Sequence, residues 1–152
     1  MTIARLPQKR VDMLDAQIFT VASGQTVRAG VCVKIAATDT SPATADYPQA
    51  QEAIADTDDP IAIAMGEPGD TYAAGVQFSA YLVAGGGVVP VLVGTGGGTR
   101  GTSATCATDG LTNAAANGNG TTRIFSPGVF LETGVVGDFV PLLVKPRALN
   151  KT

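Results

Sequence analysis

Glycine, proline and Asp-Gly or Asn-Gly pairs interrupt this chain so often that its apolar residues fall into runs of six or fewer. Runs of that length suit strands, and most of them carry the two-residue alternation or β-branched side chains that strands favour. Gln17 to Val21 is closed by Ser23-Gly24, and Gly30 opens a stretch in which Val31, Val33 and Ile35 share one face while Lys34 points the other way, toward solvent. Ile61 to Met65 alternates large and small residues before Gly66-Glu67-Pro68-Gly69 breaks it. Next, Val76, Phe78, Ala80 and Leu82 face one side and Gln77, Ser79 and Tyr81 the other, which predicts a core face and a wetter or interface-forming face. Val88 to Val93 contains Pro90, which forfeits a ladder donor and predicts an edge strand or a bulge. After a glycine-rich loop read as flexible, Thr102 to Ala107, Arg123 to Phe125, Gly128 to Leu131 and Phe139 to Val144 follow as further short runs. The fold class expected is all-β, a small barrel or sandwich of short strands.

With 152 residues the chain has the length of one domain. Hydrophobic residues make up 45%, with alanine the commonest of them, no tryptophan, five phenylalanines and three tyrosines. That supply supports a thin sheet-based core rather than the deep core of a large α/β enzyme. The expected organisation is an N-terminal arm over residues 1–15, a β-domain over 16–144 and a C-terminal arm over 145–152. A long polar excursion at 37–60, read as surface, interrupts the β-domain, and within it Gln49 to Ala55 is compatible with two turns of helix. The N-terminus reads as carrying no secretion signal, and no apolar run approaches membrane-spanning length. No membrane partner is expected.

Charge is distributed more tellingly than its net value of −3 suggests. Arg5, Lys9 and Arg10 lie at one end and Lys145, Arg147 and Lys151 at the other; between Lys34 and Arg100 there is no basic residue, while eight acids from Asp39 to Asp70 crowd the first half of that interval. Basic ends and an acidic middle let one copy meet another, or let both ends seek an acidic partner. Charged residues total 15%, too few for a general nucleic-acid binder.

One internal correspondence stands out. Gly24 to Val31 aligns with Gly69 to Val76 at five of eight positions with an offset of 45, and each copy precedes an alternating strand. The pattern reads as a tight turn, a short extended piece, and an Ala-Gly step where the backbone bends into the next strand. A duplicated half-barrel and a turn solution used twice both account for it.

Catalytic and ligand chemistry is narrowly bounded. There is no histidine, which removes histidine triads, imidazole proton shuttles and histidine metal ligands. Gly96, Gly98 and Gly101 satisfy a dinucleotide-type spacing, but the Thr-rich segment after them is β-prone where a phosphate cradle needs a helix. Asp56-Thr57-Asp58-Asp59 lacks the glycine and distal glutamate of a calcium loop. Lys34 is the only lysine outside the termini and so the only base available to a serine-lysine pair. Cys32 and Cys106, 74 positions apart, read as two buried thiols of a cytoplasmically made chain rather than a disulfide. No catalytic constellation, metal or cofactor is expected.

Val89-Pro90-Val91-Leu92-Val93-Gly94-Thr95-Gly96-Gly97-Gly98-Thr99-Arg100-Gly101, continuing through Thr108 to Ala114, resembles the head decoration (cement) proteins of tailed bacteriophages. The ending Gly128 to Val144 and the stretch Ser23 to Val33 are similar to that family as well. The resemblance implies a non-enzymatic β-domain that binds the major capsid protein on the outside of the head, commonly as a trimer, and stiffens the shell. The protein would be made in the host cytoplasm and end on the outer virion surface. On that reading Arg5, Leu6, Lys9, Arg10, Lys145 and Arg147 grip the shell, and a sheet face including Phe78 or Tyr81 serves self-association, with a trimer favoured over a dimer. Two other functions fit the composition: a phage tail or fibre module that binds carbohydrate, and a small enzyme built on a pair of carboxylates.

Overall fold

Five short strands close into a barrel in the computed structural model, which describes residues 16–36, 47–114 and 121–150. The first seven strands are β1 (Ala16–Val21), β2 (Thr26–Arg28), β3 (Cys32–Ile35), β4 (Gln49–Glu52), β5 (Ala62–Ala64), β6 (Thr71–Ala73) and β7 (Gln77–Leu82). Around the barrel the order is β1-β4-β3-β5-β7, with β7 returning to β1, and only the β1–β4 contact is parallel. A five-stranded barrel encloses little space, and its contents show why an alanine-rich chain suits it. Ala50, Ala62, Ala64 and Ala80 face inward beside Val21, Val31 and Val33, so the strands close around Phe19 and Phe78, whose ring centroids lie 6.0 Å apart. Tyr72 stacks on Phe78 at 5.5 Å, and its hydroxyl donates to the Met65 carbonyl at 2.6 Å.

The two copies of the internal repeat meet each other. β2 from the first pairs antiparallel with β6 from the second, with Val27 opposite Tyr72. Each copy turns alike: Gln25 N–H donates to the Ala22 carbonyl as Asp70 N–H does to that of Glu67, and Gly30 and Gly75 share a φ of +81°. Strands are exchanged between the halves, since β1 pairs with β7 and β3 with β5. β4, between β1 and β3, has no counterpart between β5 and β7, which pair directly.

Beyond a 3-10 turn at Val83–Gly85 come β8 (Val88–Leu92), β9 (Ala104–Ala107), β10 (Gly110–Asn113), β11 (Arg123–Phe130) and β12 (Phe139–Asn150). β9 and β10 form a hairpin, and β11, β12 and β8 form a three-stranded sheet with β12 in the centre. A second core lies between the sheet, the hairpin and the outer wall of the barrel, and includes Val89, Val91, Leu111, Phe130, Leu142 and Val144. Cys32 and Ile63, cross-strand partners on β3 and β5, contribute to this core from the barrel wall.

Several expectations are corrected. Gln49 to Glu52 is a barrel strand with Ala50 fully buried, not surface helix, because its small residue fills an inward position between β1 and β3. The rest of the excursion at 37–46 lies outside the described residues, as do the N-terminal arm at 1–15 and the turn signal at 117–120. Residues 145–150 are not a free arm but the second half of β12, paired with β11 as far as Arg123 opposite Asn150. Arg123 to Phe125 and Gly128 to Leu131 belong largely to one strand, β11, because the irregularity between Ser126 and Gly128 bends the ladder without ending it. Ile35 is exposed although Val31 and Val33 on the same face are buried. Pro90 does sit on an edge strand.

Candidate functional site

Several charged side chains of the domain are committed to internal struts. Arg28 on β2 donates its Nε to Glu52 Oε1 at 2.9 Å and its Nη2 to Oε2 at 2.7 Å, while its backbone N–H also reaches Oε1 and Nη2 reaches the Thr108 carbonyl. This ties the repeat to β4 and to the β9–β10 turn, and the hydrogen bonds donated to Glu52 raise the guanidinium pKa further. Lys34, expected to face solvent, is instead paired with Asp58 at 2.7 Å. Asp58 also accepts from the N–H groups of Ile54 and Ala55. Partial burial works to raise the Asp58 pKa, but Lys34 and the two backbone donors prevail and hold it below the ordinary carboxylate range. A lysine so engaged is not poised as a catalytic base.

The glycine-rich loop is pinned rather than flexible. Thr95 N–H and hydroxyl donate to Asp109, Gly98 and Gly134 exchange a reciprocal pair of backbone bonds at 3.0 and 2.9 Å, and Thr99 N–H donates to Asn113 Oδ1. Arg100 N–H goes to Thr133 Oγ1, and Gly97 and Gly101 N–H go to backbone carbonyls. A phosphate cradle works through free N–H groups, and here they are donated within the protein. The Thr95 donors hold Asp109 below the ordinary carboxylate range.

Among the described residues no group of three or more Cys, Asp or Glu is placed to hold a metal ion. Three surface cavities of about 340, 330 and 220 Å³ carry no paired acids: the first is lined by none, the second by Asp56 and the third by Asp59. Cys32 and Cys106 are free and buried, and the neighbouring Cys106 thiol together with burial pushes the Cys32 pKa well up. No helix among the described residues is long and apolar enough to cross a membrane.

The sequence-predicted contact residues are scattered. Arg5, Leu6, Lys9 and Arg10 lie outside the described residues. Lys145 and Arg147 are exposed on the far half of β12, where Arg147 bonds Ser103 Oγ from the loop before β9. Phe78 is only 4% exposed inside the barrel, so it offers nothing to a second copy, and Tyr81 is half-buried against the second core. The alternation at Phe78 correctly marks a buried side; that side faces the interior, and the opposite side carries Gln77 and Ser79.

The apolar surface lies elsewhere. On the outer face of the three-stranded sheet, Val129, Leu143 and Val88 form one row across β11, β12 and β8. Pro141 and Pro90 are cross-strand partners in the next row, which Leu131 completes by donating its N–H to the Pro141 carbonyl. Val88 is 60% and Leu143 40% exposed, Pro90 is exposed, and the other three are half-buried. The sequence held a signal for this patch in two Pro-containing apolar runs, Val88 to Val93 and Phe139 to Val144, but only the register shows that their outward residues align.

A scan against protein-family models finds no match, and a search of the curated proteins finds no significant relative.

Proposed function

We propose that the chain is a structural decoration protein of a bacteriophage head, binding the major capsid protein on the outer surface and stabilising the shell without catalysis. The observation that carries this reading is the division of labour between side chains. Arg28, Glu52, Lys34, Asp58 and Asp109 are tied into struts, whereas apolar residues are left outside on the three-stranded sheet. Such an arrangement favours contact through surface over chemistry in a cavity. The chain's resemblance to head decoration proteins supplies the partner, and the basic residues Lys145 and Arg147, exposed on β12, add points of electrostatic contact. Weak contacts of this kind become effective when symmetry repeats them, which favours a trimer on a lattice.

The test is binding to undecorated heads of the phage that encodes the chain. The full-length protein is expected to label the whole shell by electron microscopy, and deletion of residues 1–12 or the K145E/R147E double change to reduce occupancy at least tenfold. Labelling of a single vertex would assign the protein to the tail instead. Unchanged occupancy in both variants would remove the basic ends from the binding surface.

A further inference from the structure

Cys32 and Cys106 meet inside the second core, and we propose that they are a peroxide-responsive pair, in which Cys106 is oxidised first and Cys32 then closes a disulfide that ties the barrel to the β9–β10 hairpin. This goes beyond the decoration reading and does not depend on it.

The fold brings the two residues together from opposite halves of the chain. Cys32 stands on β3 in the barrel wall and turns out of the barrel, whereas its neighbour Val33 turns in. Cys106 stands on β9, opposite Leu111 of β10, and belongs to the same core as Cys32. Segment 53–56 joins the two places. Ala53 donates its N–H to the Cys32 carbonyl at 2.9 Å, and Ile54, Ala55 and Asp56 line the surface cavity that Cys106 also lines. The thiols themselves lie within hydrogen-bonding reach of each other, and both are free.

Access to the two is unequal. Cys106 borders a cavity of about 330 Å³ that Thr105, Thr108 and Thr112 also line, while Cys32 lines none of the three cavities described above. Cys106 is nevertheless only 3% exposed, so a bulky electrophile is kept from its sulfur. Hydrogen peroxide is close to water in size and is the oxidant suited to this approach.

The chemistry closes with one peroxide. The Cys106 sulfur attacks a peroxide oxygen, the O–O bond breaks, and the departing hydroxide takes the thiol proton and leaves as water, so that Cys106 becomes a sulfenic acid. The Cys32 sulfur then attacks the Cys106 sulfur, the S–O bond breaks, and the Cys32 proton leaves with the hydroxyl as a second water. Peroxide gains the two electrons that the thiols lose. Cys32, kept protonated by its neighbour and by burial, is the poorer first nucleophile, and its proton is at hand for the hydroxyl that departs in the second step.

The new bond joins elements that share no ladder, since β9 pairs with β10 while β3 pairs with β4 and β5. Closing a loop of this length restricts the unfolded chain, so the oxidised protein is the more stable form.

Full-length reduced protein, treated with millimolar hydrogen peroxide while folded and peptide-mapped without reduction, tests this. A Cys32–Cys106 linked peptide pair within the monomer is expected, with a melting temperature about 5 °C higher that dithiothreitol returns to its starting value. In C32S the reaction is expected to stop at a sulfenic acid on Cys106, trapped by dimedone on unfolding, and in C106S Cys32 is expected to remain a thiol. The linkage in the parent decides the matter even where a variant does not fold. Two intact thiols after treatment, linkage between chains, or a linked protein that melts no higher than the reduced one overturns the proposal. Oxidation of Cys32 in C106S with Cys106 spared in C32S overturns the order of attack.

Discussion

Val27 and Tyr72, which hold the same place in the two copies of the internal repeat, face each other directly across the β2–β6 ladder. The likeness between Gly24–Val31 and Gly69–Val76 is thus a likeness about a local two-fold axis. The two copies differ in what surrounds them, and matched glycines report the difference.

Gly30 and Gly75 both stand at φ +81°, so alanine at either carries the cost of a left-handed conformation, about 1–2 kcal/mol. A β-carbon on Gly75 meets nothing within 4 Å, whereas one on Gly30 comes within 2.7 Å of the Leu92 nitrogen and 2.8 Å of the Phe139 ring. Overpacking adds about 1–3 kcal/mol. Urea unfolding is expected to show G75A destabilised mildly and G30A by roughly twice as much or more.

Asp58 makes stability depend on acid. Its folded pKa lies below the value of an unfolded aspartate, about 3.9, so its contribution is complete above that pH and is lost as the pH falls through the lower folded value. D58N is expected to cost about 1–2 kcal/mol at pH 7, and the gap to the parent protein to narrow as the pH falls below the ordinary aspartate range. Melting temperature measured from pH 2 to 7 for both proteins checks the convergence.

The thiols should be silent in the native state. Cys32 and Cys106 are 1% and 3% exposed, and the thiol of Cys32 is held in its protonated form. Intact-mass measurement after iodoacetamide at pH 8 is expected to show no adduct on the folded protein and two adducts in denaturant.

Pro90 guards the free edge, and restoring a donor there should be visible. P90V is expected to leave the melting temperature within a few degrees of the parent and to add higher-order species at high concentration, because β8 then regains an outward donor at position 90. Light scattering during concentration distinguishes the two proteins.

Much of this architecture was legible in the chain. The punctuation by glycine and proline, the alternation around Phe78 and the edge position of Pro90 follow from period-two geometry and missing donors, which are local properties. The fate of Gln49–Glu52 was not, because a short polar strand with one small inward residue has no signature apart from the barrel that receives it. Nor was the extension of β12 past Val144, since Lys145 to Asn150 is strand only because β11 lies beside it. The candidate surface was half visible: the apolar runs containing Pro90 and Pro141 could be seen, but their alignment is a matter of register between strands about 50 residues apart in sequence. Phe78 shows the converse error, in which a correct face was given the wrong neighbour.

Cys32 and Ile63 look out from strands whose other sides, through Val33, Ala62 and Ala64, close the barrel. One wall therefore serves two rooms, and neither can be emptied while the other stays furnished. Val140 and Leu142 of β12 join Cys32 and Ile63 in that shared partition, so the sheet and the barrel are expected to unfold together in one cooperative transition.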